Sequence, residues 1–587
     1  MTEFVAQNFV PLMFAGLFLF LLTGFPVAFG LAATGLTFGV IGMEAGLFGA
    51  NLFQALPLRV FGIMQNDTLL AIPFFTLMGI ILERSGMAED LLETIGQVFG
   101  PVRGGLAIAV VLVGALLAAT TGVVAAAVIS MGLISLPIML RYGYNRTIAT
   151  GAITASGTLA QAIPPSLVLI VLADQLGRSV GDMYAGALQP GLLLVGIYLV
   201  FIAIVALTRP RWVPALPIEA RIYREPGGAS GHVSLIVLLA LCAVAGVTWA
   251  QFHEGVINPM IGRSVPAPGD EVFILSMTVA SLLAVTLALA NRLFRLGLLS
   301  RLAERVTFVL IPPLILIFLV LGTIFLGIAT PTEGGAMGAV GALVMAGAKR
   351  RLTWKVLVQA LASTSRLSVF VLFILVGSTV FAFTFNAADG HVWVEHLFDK
   401  LPGGQLGFMI FVNLLVFLLG FFIDFFEIAF IVVPILAPVA QKLDIHLIWF
   451  GVTLAMTLQT SFLTPPFGFA LFYLRSVAAR KDYTDRVTGA LIPAVTTAQI
   501  YKGSVAFVVL QLAMVATIIS FPQLVIGNLD QGPKLDADAV LEQLQQGREQ
   551  LEGVAPSGRQ GRDEYDPMSV FRDLAPPPAP PASPAGQ

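Results

Sequence analysis

Charge, cysteine and histidine are all scarce in this 587-residue sequence. Charged residues make up 11% of it, whereas a soluble globular protein carries roughly 25%. The one cysteine, Cys242, lies inside an apolar run, which excludes disulfides, thiolate metal clusters and thiol redox pairs. The five histidines lie near the ends of apolar segments, so haem held between membrane helices is not expected.

Sequence signals for several other protein classes are also missing. The net charge is −2, and no basic stripe with interleaved aromatic residues indicates a nucleic-acid partner. There is no G-x-x-x-x-G-K-[ST] motif, so transport would have to use an ion gradient or the solute gradient itself. His253-Glu254 begins a His-Glu-x-x-His pattern that lacks the second histidine. We therefore expect neither catalytic residues nor an organic cofactor.

Apolar residues dominate the composition. They make up 57% of the chain, and the mean hydropathy is +0.90, which is more apolar surface than a water-soluble fold could bury. A helix needs about 20 apolar residues to cross the bilayer, and many unbroken stretches approach or reach that length. The composition therefore predicts an all-α integral membrane protein surrounded by the lipid bilayer.

Two apolar segments, 147–175 and 446–474, are interrupted by double prolines. Pro164-Pro165 and Pro465-Pro466 are 301 residues apart, and other motif pairs recur in the same order at nearly this spacing. The spacing predicts two related halves. Because two prolines stop a helix and each arm is too short to cross the bilayer, we expect both segments to form re-entrant helical hairpins.

The repeat divides the chain into four predicted parts. These are a first membrane repeat, an insert with two extra transmembrane helices, a second membrane repeat, and a Pro-rich tail that we expect to be disordered, at residues 1–207, 208–306, 307–527 and 528–587. Arginines concentrate in the loops 208–231 and 292–305, which predicts that both loops face the cytoplasm.

A turn between two short helical arms leaves backbone groups unpaired. The start of the second arm offers N–H groups and partial positive charge to a carboxylate. The end of the first arm offers carbonyl oxygens to a hard cation, and the shortage of buried carboxylates and histidines favours Na⁺ over H⁺. Charges within the membrane are functional by default, which singles out Glu333, Asp424 and Glu427. Helix capping is the alternative role for these three, and kinking of packed helices is the alternative for the double prolines.

An ordered set of motifs resembles a known family. The motifs are GFPVAFGLAATG (24–35), LAIPFFTLMGIILERSGM (70–87), TTG (120–122) followed by MGLISLPIMLRYGY (131–144), AIPPSLVLIVLAD (162–174), GIATPTEGG (327–335), DFFEIAFIVVPILAP (424–438) and FLTPPFGFALFYLR (462–475). Over about 10–205 and 307–520 the chain resembles the large membrane subunit of tripartite ATP-independent periplasmic (TRAP) transporters. DFFEIAF is similar to the mannitol/chloroaromatic subgroup, whose label does not identify a substrate.

The resemblance implies a multi-pass permease of the bacterial inner membrane that uses a Na⁺ gradient for secondary active transport. It also implies inverted repeats, two helical hairpins and an elevator-like moving domain. The implied partners are a small four-helix membrane subunit, a periplasmic substrate-binding protein and a small organic acid, often a carboxylate. Since the insert has too few spans to replace the small subunit, we expect a separate one.

Carried over by motif, the resemblance implies a sodium and substrate region at the double-proline turns and the breaks that face them. The predicted Na⁺ ligands are Thr121, Gly122, Ile163, Ser166, Thr464 and Gly468. The predicted substrate-binding residues are Thr158, Pro165, Glu333, Asp424, Glu427, Thr460 and Pro466. Two other functions stay open: a stand-alone ion-coupled carrier of dicarboxylates or other anions, and an integral-membrane lipid enzyme, although no compact catalytic motif supports the latter.

Overall fold

A computed structural model describes residues 2–49, 51–223, 231–263, 266–398, 401–485, 487–527 and 529, without the side chains of Thr2, Glu3, Leu22 and Thr121. The tail predicted to be disordered lies outside these residues, apart from Leu529. Helices make up almost all of the secondary structure in the described part of the chain.

The α-helices are numbered in chain order. The first eleven are α1 Thr2–Gln7, α2 Phe9–Leu22, α3 Val27–Glu44, α4 Leu56–Met64, α5 Ala71–Arg84, α6 Met87–Phe99, α7 Gly105–Thr121, α8 Val124–Arg141, α9 Arg146–Thr158, α10 Leu167–Gln175 and α11 Val180–Thr208. The others are α12 His232–Ile261, α13 Gly269–Phe294, α14 Arg301–Phe325, α15 Pro331–Ala348, α16 Trp354–Ala387, α17 Gly390–Phe398, α18 Gly404–Leu419, α19 Phe425–Glu427, α20 Val433–Lys442, α21 Leu447–Leu463, α22 Phe469–Val477, α23 Thr497–Ser520 and α24 Gln523–Ile526.

Shorter elements connect them. Four 3₁₀ turns are found at Leu52–Ala55, Asp67–Leu70, Leu159–Gln161 and Ile218–Ala220, and a π-helical turn at Ile428–Val432 joins α19 to α20. Strands β1 Tyr483–Thr484 and β2 Leu491–Ile492 form a small antiparallel ribbon, in which Tyr483 pairs with Ile492.

Nine of the described helices are long and apolar enough to cross a membrane, and the bent pair Leu52–Met64 and Asp67–Arg84 could add a tenth span. Two of the nine, α12 and α13, lie within the insert. Apolar side chains on their outer faces are exposed, such as Val244 at 64% and Leu293 at 71%, as expected for helices that face lipid. The prediction of an all-α integral membrane protein is confirmed.

The first helical hairpin consists of α7 and α8. The start of α7 and the end of α8 lie next to each other, as shown by the backbone N–H of Leu106, which donates to the Tyr144 hydroxyl over 3.1 Å. Next to it, the N–H of Asn145 donates to the Trp212 carbonyl over 2.8 Å. The hairpin turns at Gly122, which ends α7 with a left-handed φ of +60°. Its open end therefore lies against the loop predicted to be cytoplasmic.

The second hairpin consists of α18 and the α19–α20 helix. Its outer ends meet where the Gln405 side chain donates to the Leu443 carbonyl over 2.8 Å. It turns between Gly420, which ends α18, and Asp424, which caps α19. Each repeat thus contains one helical hairpin, followed at once by the double-proline segment.

The double-proline segments cross the structure, which corrects the prediction that 147–175 and 446–474 are the hairpins. α9 begins next to Trp212, just beyond the C-terminal end of α11, whereas α10 ends shortly before α11 starts. Because α11 has 29 residues, these two places are about 43 Å apart. The prediction judged each arm alone, but the arms of 13 and 9 residues together cover about 33 Å, enough to cross the apolar layer with a break inside it.

The second segment crosses in the opposite direction. At the start of α21, a Cβ on Gly451 would lie 2.8 Å from both Leu176 and Met183, so this end lies at the beginning of α11. Beyond the end of α22, Asp485 forms an ion pair of 2.9 Å with Arg141 at the end of α8. The segment 447–477 therefore runs from the far end of the structure to the end where the first hairpin opens.

The two hairpins enter from opposite ends of the molecule. The first opens next to Trp212, whereas the second opens at Leu443, four residues before α21 begins at the other end of α11. The two repeats are therefore inverted relative to each other, in agreement with the fold that the resemblance implied. Close helix crossings join them, as where Gly151 of α9 meets Gly503 of α23.

Helices outside the hairpins pack on helices of the other repeat. α3 of the first half packs on α16, where Thr384 donates to the Gly35 carbonyl over 2.8 Å. α15 of the second half packs on α5, where a Cβ on Gly338 would lie 2.6 Å from the Met78 sulfur. These close approaches leave no room for larger side chains, which explains the glycines at these positions of α3 and α15.

The insert has its own buried charge network. Glu271 on α13 accepts from Arg263 over 2.7 Å and bonds to His253 of α12 over 2.8 Å. Both Glu271 and His253 have no exposed surface. This network ties α12 to α13 at the end of the structure away from the arginine-rich loops.

Candidate functional site

In the first repeat, the hairpin turn touches the break of the crossing segment. A Cβ on Gly122 would lie 3.1 Å from Leu167 Cγ and 3.3 Å from the Leu167 backbone nitrogen. Ser166, fully buried, caps α10, and its hydroxyl accepts from the Val168 N–H over 3.2 Å. The end of α7 and the start of α10 therefore meet inside the structure, which brings a helix C-terminus and a helix N-terminus, whose backbone groups lack intrahelical partners, to one place.

The second repeat has the same arrangement. The ring of Phe422 in the hairpin turn lies 5.0 Å from the ring of Phe467 in the break. α21 ends at Leu463, directly before Thr464, and α22 begins after Gly468, which has a positive φ of +51°. A Cβ on Gly468 would lie 3.0 Å from the Thr464 carbonyl oxygen, so a larger residue would crowd this turn.

A tyrosine holds each break. Tyr184, the fifth residue of α11, donates to the Ser166 carbonyl over 3.5 Å, and Tyr501, the fifth residue of α23, donates to the Pro466 carbonyl over 2.8 Å. Both double-proline peptide bonds, Pro164-Pro165 and Pro465-Pro466, are cis. The two tyrosines occupy equivalent positions in the two repeats and form equivalent hydrogen bonds.

Five of the six predicted Na⁺ ligands fall into two groups, one at each break. Gly122, Ile163 and Ser166 belong to the first, with Ile163 6% exposed, and Thr464 and Gly468 belong to the second. The sixth, Thr121, is the last residue of α7, next to the first group, and its side chain is outside the description.

Hydroxyl protons in these groups are already donated to the backbone. Ser166 donates to the Gln161 carbonyl over 3.1 Å, and Thr464 donates to the Thr460 carbonyl over 2.7 Å. Donation of the proton leaves oxygen lone pairs available, so the groups can accept a cation through neutral oxygens.

The predicted acidic substrate residues act as helix caps. Glu333 accepts from the N–H and the hydroxyl of Thr330 over 2.7 and 3.0 Å, in a capping box at the exposed start of α15. Asp424 and Glu427 form a second capping box, in which the Asp424 N–H donates to Glu427 over 3.1 Å. The capping alternative thus describes these three side chains in this conformation, and only the second box lies at a hairpin turn.

The remaining predicted substrate residues line the interior near the breaks. Thr158 accepts from Gln511 over 3.3 Å, and Gln511 also donates to the buried Tyr198 hydroxyl over 2.7 Å. Thr460 is fully buried one turn before the end of α21, and its hydroxyl donates to the Met456 carbonyl over 2.9 Å. Pro165 and Pro466 lie within the breaks themselves.

Two buried glutamines were not among the predicted residues. Gln161 directly precedes the first break and is 1% exposed, and Gln459 lies on the first arm of the second crossing segment with no exposed surface. The Gln161 amide has no hydrogen-bond partner among the described residues, whereas the Gln459 amide lies beside the buried Tyr198 hydroxyl and interacts with it without a well-aligned hydrogen bond. Such a group costs about 1–3 kcal/mol when left unpaired. The sequence does single out these two glutamines. Each one is an amide residue among apolar and hydroxyl-bearing residues, shortly before a double proline.

A site for transition metals is not found in the described part of the chain. It contains no group of three or more His, Cys, Asp or Glu that could hold a metal ion.

The sequence also matches a known family along most of its length. The family described as "Tripartite ATP-independent periplasmic transporter, DctM component" matches residues 14–524. The chain belongs to this DctM family. It is accordingly a large permease subunit of a TRAP transporter and not an enzyme, and its apolar spans make it a multi-pass protein of the bacterial inner membrane. The subgroup suggested by DFFEIAF stays a prediction.

Relatives of this DctM-family chain include two large permease proteins named for C4-dicarboxylate transport. The protein from Pseudomonas aeruginosa is 27% identical over 73% of this chain and 82% of its own length. The protein from Rhodobacter capsulatus is 26% identical over 87% of this chain and 98% of its own length. Among solved structures, the YdaH transporter of Alcanivorax borkumensis matches with 16% identity and a TM-score of 0.45, over 81% of this chain and 90% of that one.

Proposed function

We propose that this DctM-family chain is the membrane permease of a sodium-coupled transporter that imports small carboxylates. The observation that carries the proposal is the repeated contact between a hairpin turn and a helix break. In each repeat the hairpin turn contacts the break of the crossing segment, at a buried place in the first repeat and through the partly exposed rings of Phe422 and Phe467 in the second, and the two hairpins enter from opposite ends. Such paired breaks are how membrane transporters build ion and substrate sites.

Sodium would bind where helices end. The last turns of α7 and α21 present carbonyl groups without intrahelical partners, next to Gly122 in the first repeat and Thr464 in the second. The hydroxyl oxygens of Ser166 and Thr464 can add ligands from the same places. Hard cations prefer oxygen ligands of this kind.

The carboxylate would bind where helices begin. The first turn of α10 points its N–H groups into the first break, and the helix dipole favours negative charge there. The unpaired amide of Gln161 can donate further hydrogen bonds, and so can the Gln459 amide beside Tyr198. C4-dicarboxylates are the proposed class because two relatives carry that name.

The proposed transport movement is that of one packed group of helices relative to another. The crossing segments, hairpins, α11 and α23 pack closely on one another, and α3, α5, α15 and α16 cross one another beside them, with α5 in contact with α7 and α10. We propose that the first group moves past the second as an elevator domain. The inverted repeats supply two related positions for this motion.

Two partner proteins complete the proposed transporter. A small four-helix membrane subunit would be a separate chain, because the insert supplies only α12 and α13. A periplasmic binding protein would deliver the substrate to the end at which the second hairpin opens, opposite the arginine-rich loop at Trp212.

Reconstituted uptake tests the proposal. Proteoliposomes that contain the permease and its small subunit receive the binding protein and radiolabelled succinate outside, with either an inward Na⁺ gradient or an inward proton gradient. We expect uptake only with Na⁺ and the binding protein. Uptake driven by the proton gradient without Na⁺ would overturn the sodium assignment, and uptake without the binding protein would favour the stand-alone carrier.

A further inference from the structure

A long apolar slot lies between the insert and the first crossing segment. Its volume is about 450 Å³. Helices α12 and α13 of the insert and α14 form one side, and α6, α7 and α11 form the other. Every side chain that lines the slot is apolar.

The slot opens at the surface and ends at the first break. Leu192, Leu239 and Phe273 form its mouth, and they are 45%, 58% and 42% exposed. Ile163 and Pro164 line its inner end, where Ile163 is 6% exposed. A molecule that entered from the side of the protein would therefore reach the break that forms the candidate ion site.

Its length suits an extended hydrocarbon chain. The slot follows α14 from Val306 to Leu321, which is about 22 Å along a helix. The apolar layer of a bilayer is about 30 Å thick, so the slot is longer than the hydrocarbon depth of one leaflet.

An empty or water-filled slot is physically unfavourable. An apolar lining left against empty space or water forgoes the van der Waals contacts and the hydrophobic stabilisation that a packed apolar partner gives. Water would find no polar side chain in the lining to bond with. An apolar molecule must therefore fill the slot, and the mouth opens from helices that face the lipid.

We propose that the slot is a binding site for one acyl chain of a bilayer phospholipid. The insert then has a defined role, because α12 and α13 supply Leu235, Leu239, Phe273 and Met277 as the outer wall. The chain packs against Ile163 and Pro164 and supports the first break from the lipid side. This site adjoins the first break at Ile163, but the proposal does not depend on ion or carboxylate binding there.

Photocrosslinking in the intact, reconstituted permease tests the proposal. The probe is a phosphatidylethanolamine with a diazirine near the end of one acyl chain, and labelled peptides are mapped by mass spectrometry. We expect labelling at Ile163 as well as at the outward-facing Val244, which is 64% exposed. Phe507, 1% exposed and away from the slot, should stay unlabelled. Labelling of Val244 with none at Ile163 would overturn the proposal.

A filling variant sharpens the test. Ala115→Phe places a ring in the slot and should lower labelling at Ile163 by roughly tenfold, since a phenyl group takes the space of the chain. Val244→Phe is the matched control on the outer face and should leave that labelling unchanged. If Ala115→Phe does not fold, Met277→Trp on the insert wall fills the slot from the other side. Unchanged labelling at Ile163 in a folded filling variant would also refute the site.

Discussion

Replacement of the two buried glutamines Gln161 and Gln459 separates a binding role from a structural one. Gln161→Leu exchanges a buried amide that has no partner in the described structure for an apolar group of similar volume, and Gln459→Leu makes the same exchange for a buried amide beside the Tyr198 hydroxyl. Removing an unsatisfied buried amide should release about 1–3 kcal/mol, reduced by imperfect packing of the branched side chain. The folded protein should therefore be as stable as the wild type or slightly more stable.

Transport should respond in the opposite direction. If the amides donate to a carboxylate at the breaks, each variant loses about 1–3 kcal/mol of substrate binding, which corresponds to roughly 5-fold to 150-fold in affinity. We expect a raised KM for succinate in proteoliposomes, with an unchanged or higher midpoint of thermal unfolding in detergent. A structural role would instead lower the midpoint of unfolding.

Gln511→Leu is the matched control. The amide of Gln511 donates to Thr158 and Tyr198, so its loss should destabilise the protein by about 2 kcal/mol through two missing hydrogen bonds. Unfolding midpoints that fall equally for Gln161→Leu and Gln511→Leu would refute the binding role. Wild-type KM values in both Gln161→Leu and Gln459→Leu would refute it as well.

Three further predictions follow from other parts of the structure. Gly122→Ala and Gly177→Ala each place an alanine at a backbone φ of +60°, but only at Gly122 would the added Cβ have neighbours within 4 Å. Both variants should lose about 1 kcal/mol of stability, and only Gly122→Ala should raise the Na⁺ concentration needed for half-maximal uptake. Equal Na⁺ dependence in the two variants would show that the hairpin turn is not part of the ion site. Glu271→Gln should lower stability by about 1–3 kcal/mol because two buried charge-assisted bonds weaken, which thermal unfolding measures; an unchanged midpoint would contradict this. The Cys242→Ser variant has no cysteine and is the background for Gln523→Cys. The new cysteine should react with an impermeant maleimide added outside spheroplasts. Labelling only from the inside would show that the orientation of the protein in the membrane is the reverse of the one assigned from the arginine-rich loops.

The sequence could locate the breaks because proline acts locally. A double proline removes two backbone donors and stops the helix wherever the segment lies, and both breaks are found at Pro164-Pro165 and Pro465-Pro466. The direction of the chain after each break is not a local property. It depends on distant packing, such as the crossing of Gly151 with Gly503, which carries α9 through the structure along α23.

The hairpins themselves were marked by weaker signals. Gly122 and Gly420 end helices whose lengths look like those of ordinary spans, and only hydrogen bonds between residues far apart in sequence show that their outer ends meet. The acidic residues were easier to detect but harder to interpret. Glu333 and Glu427 each follow a capping residue by three positions, and that spacing is sufficient to explain their contacts here.

The exchange of helices between the repeats has a consequence for synthesis. Gly35 on α3 packs against the backbone of Val380, which is 345 positions later in the chain. At about 5–20 residues per second, the ribosome needs on the order of 20–70 s to supply that surface after α3 has left it. During that interval the small-residue face of α3 has only lipid or the translocation machinery as a neighbour, so the earliest membrane helices of this protein wait for the later ones before they reach their final contacts.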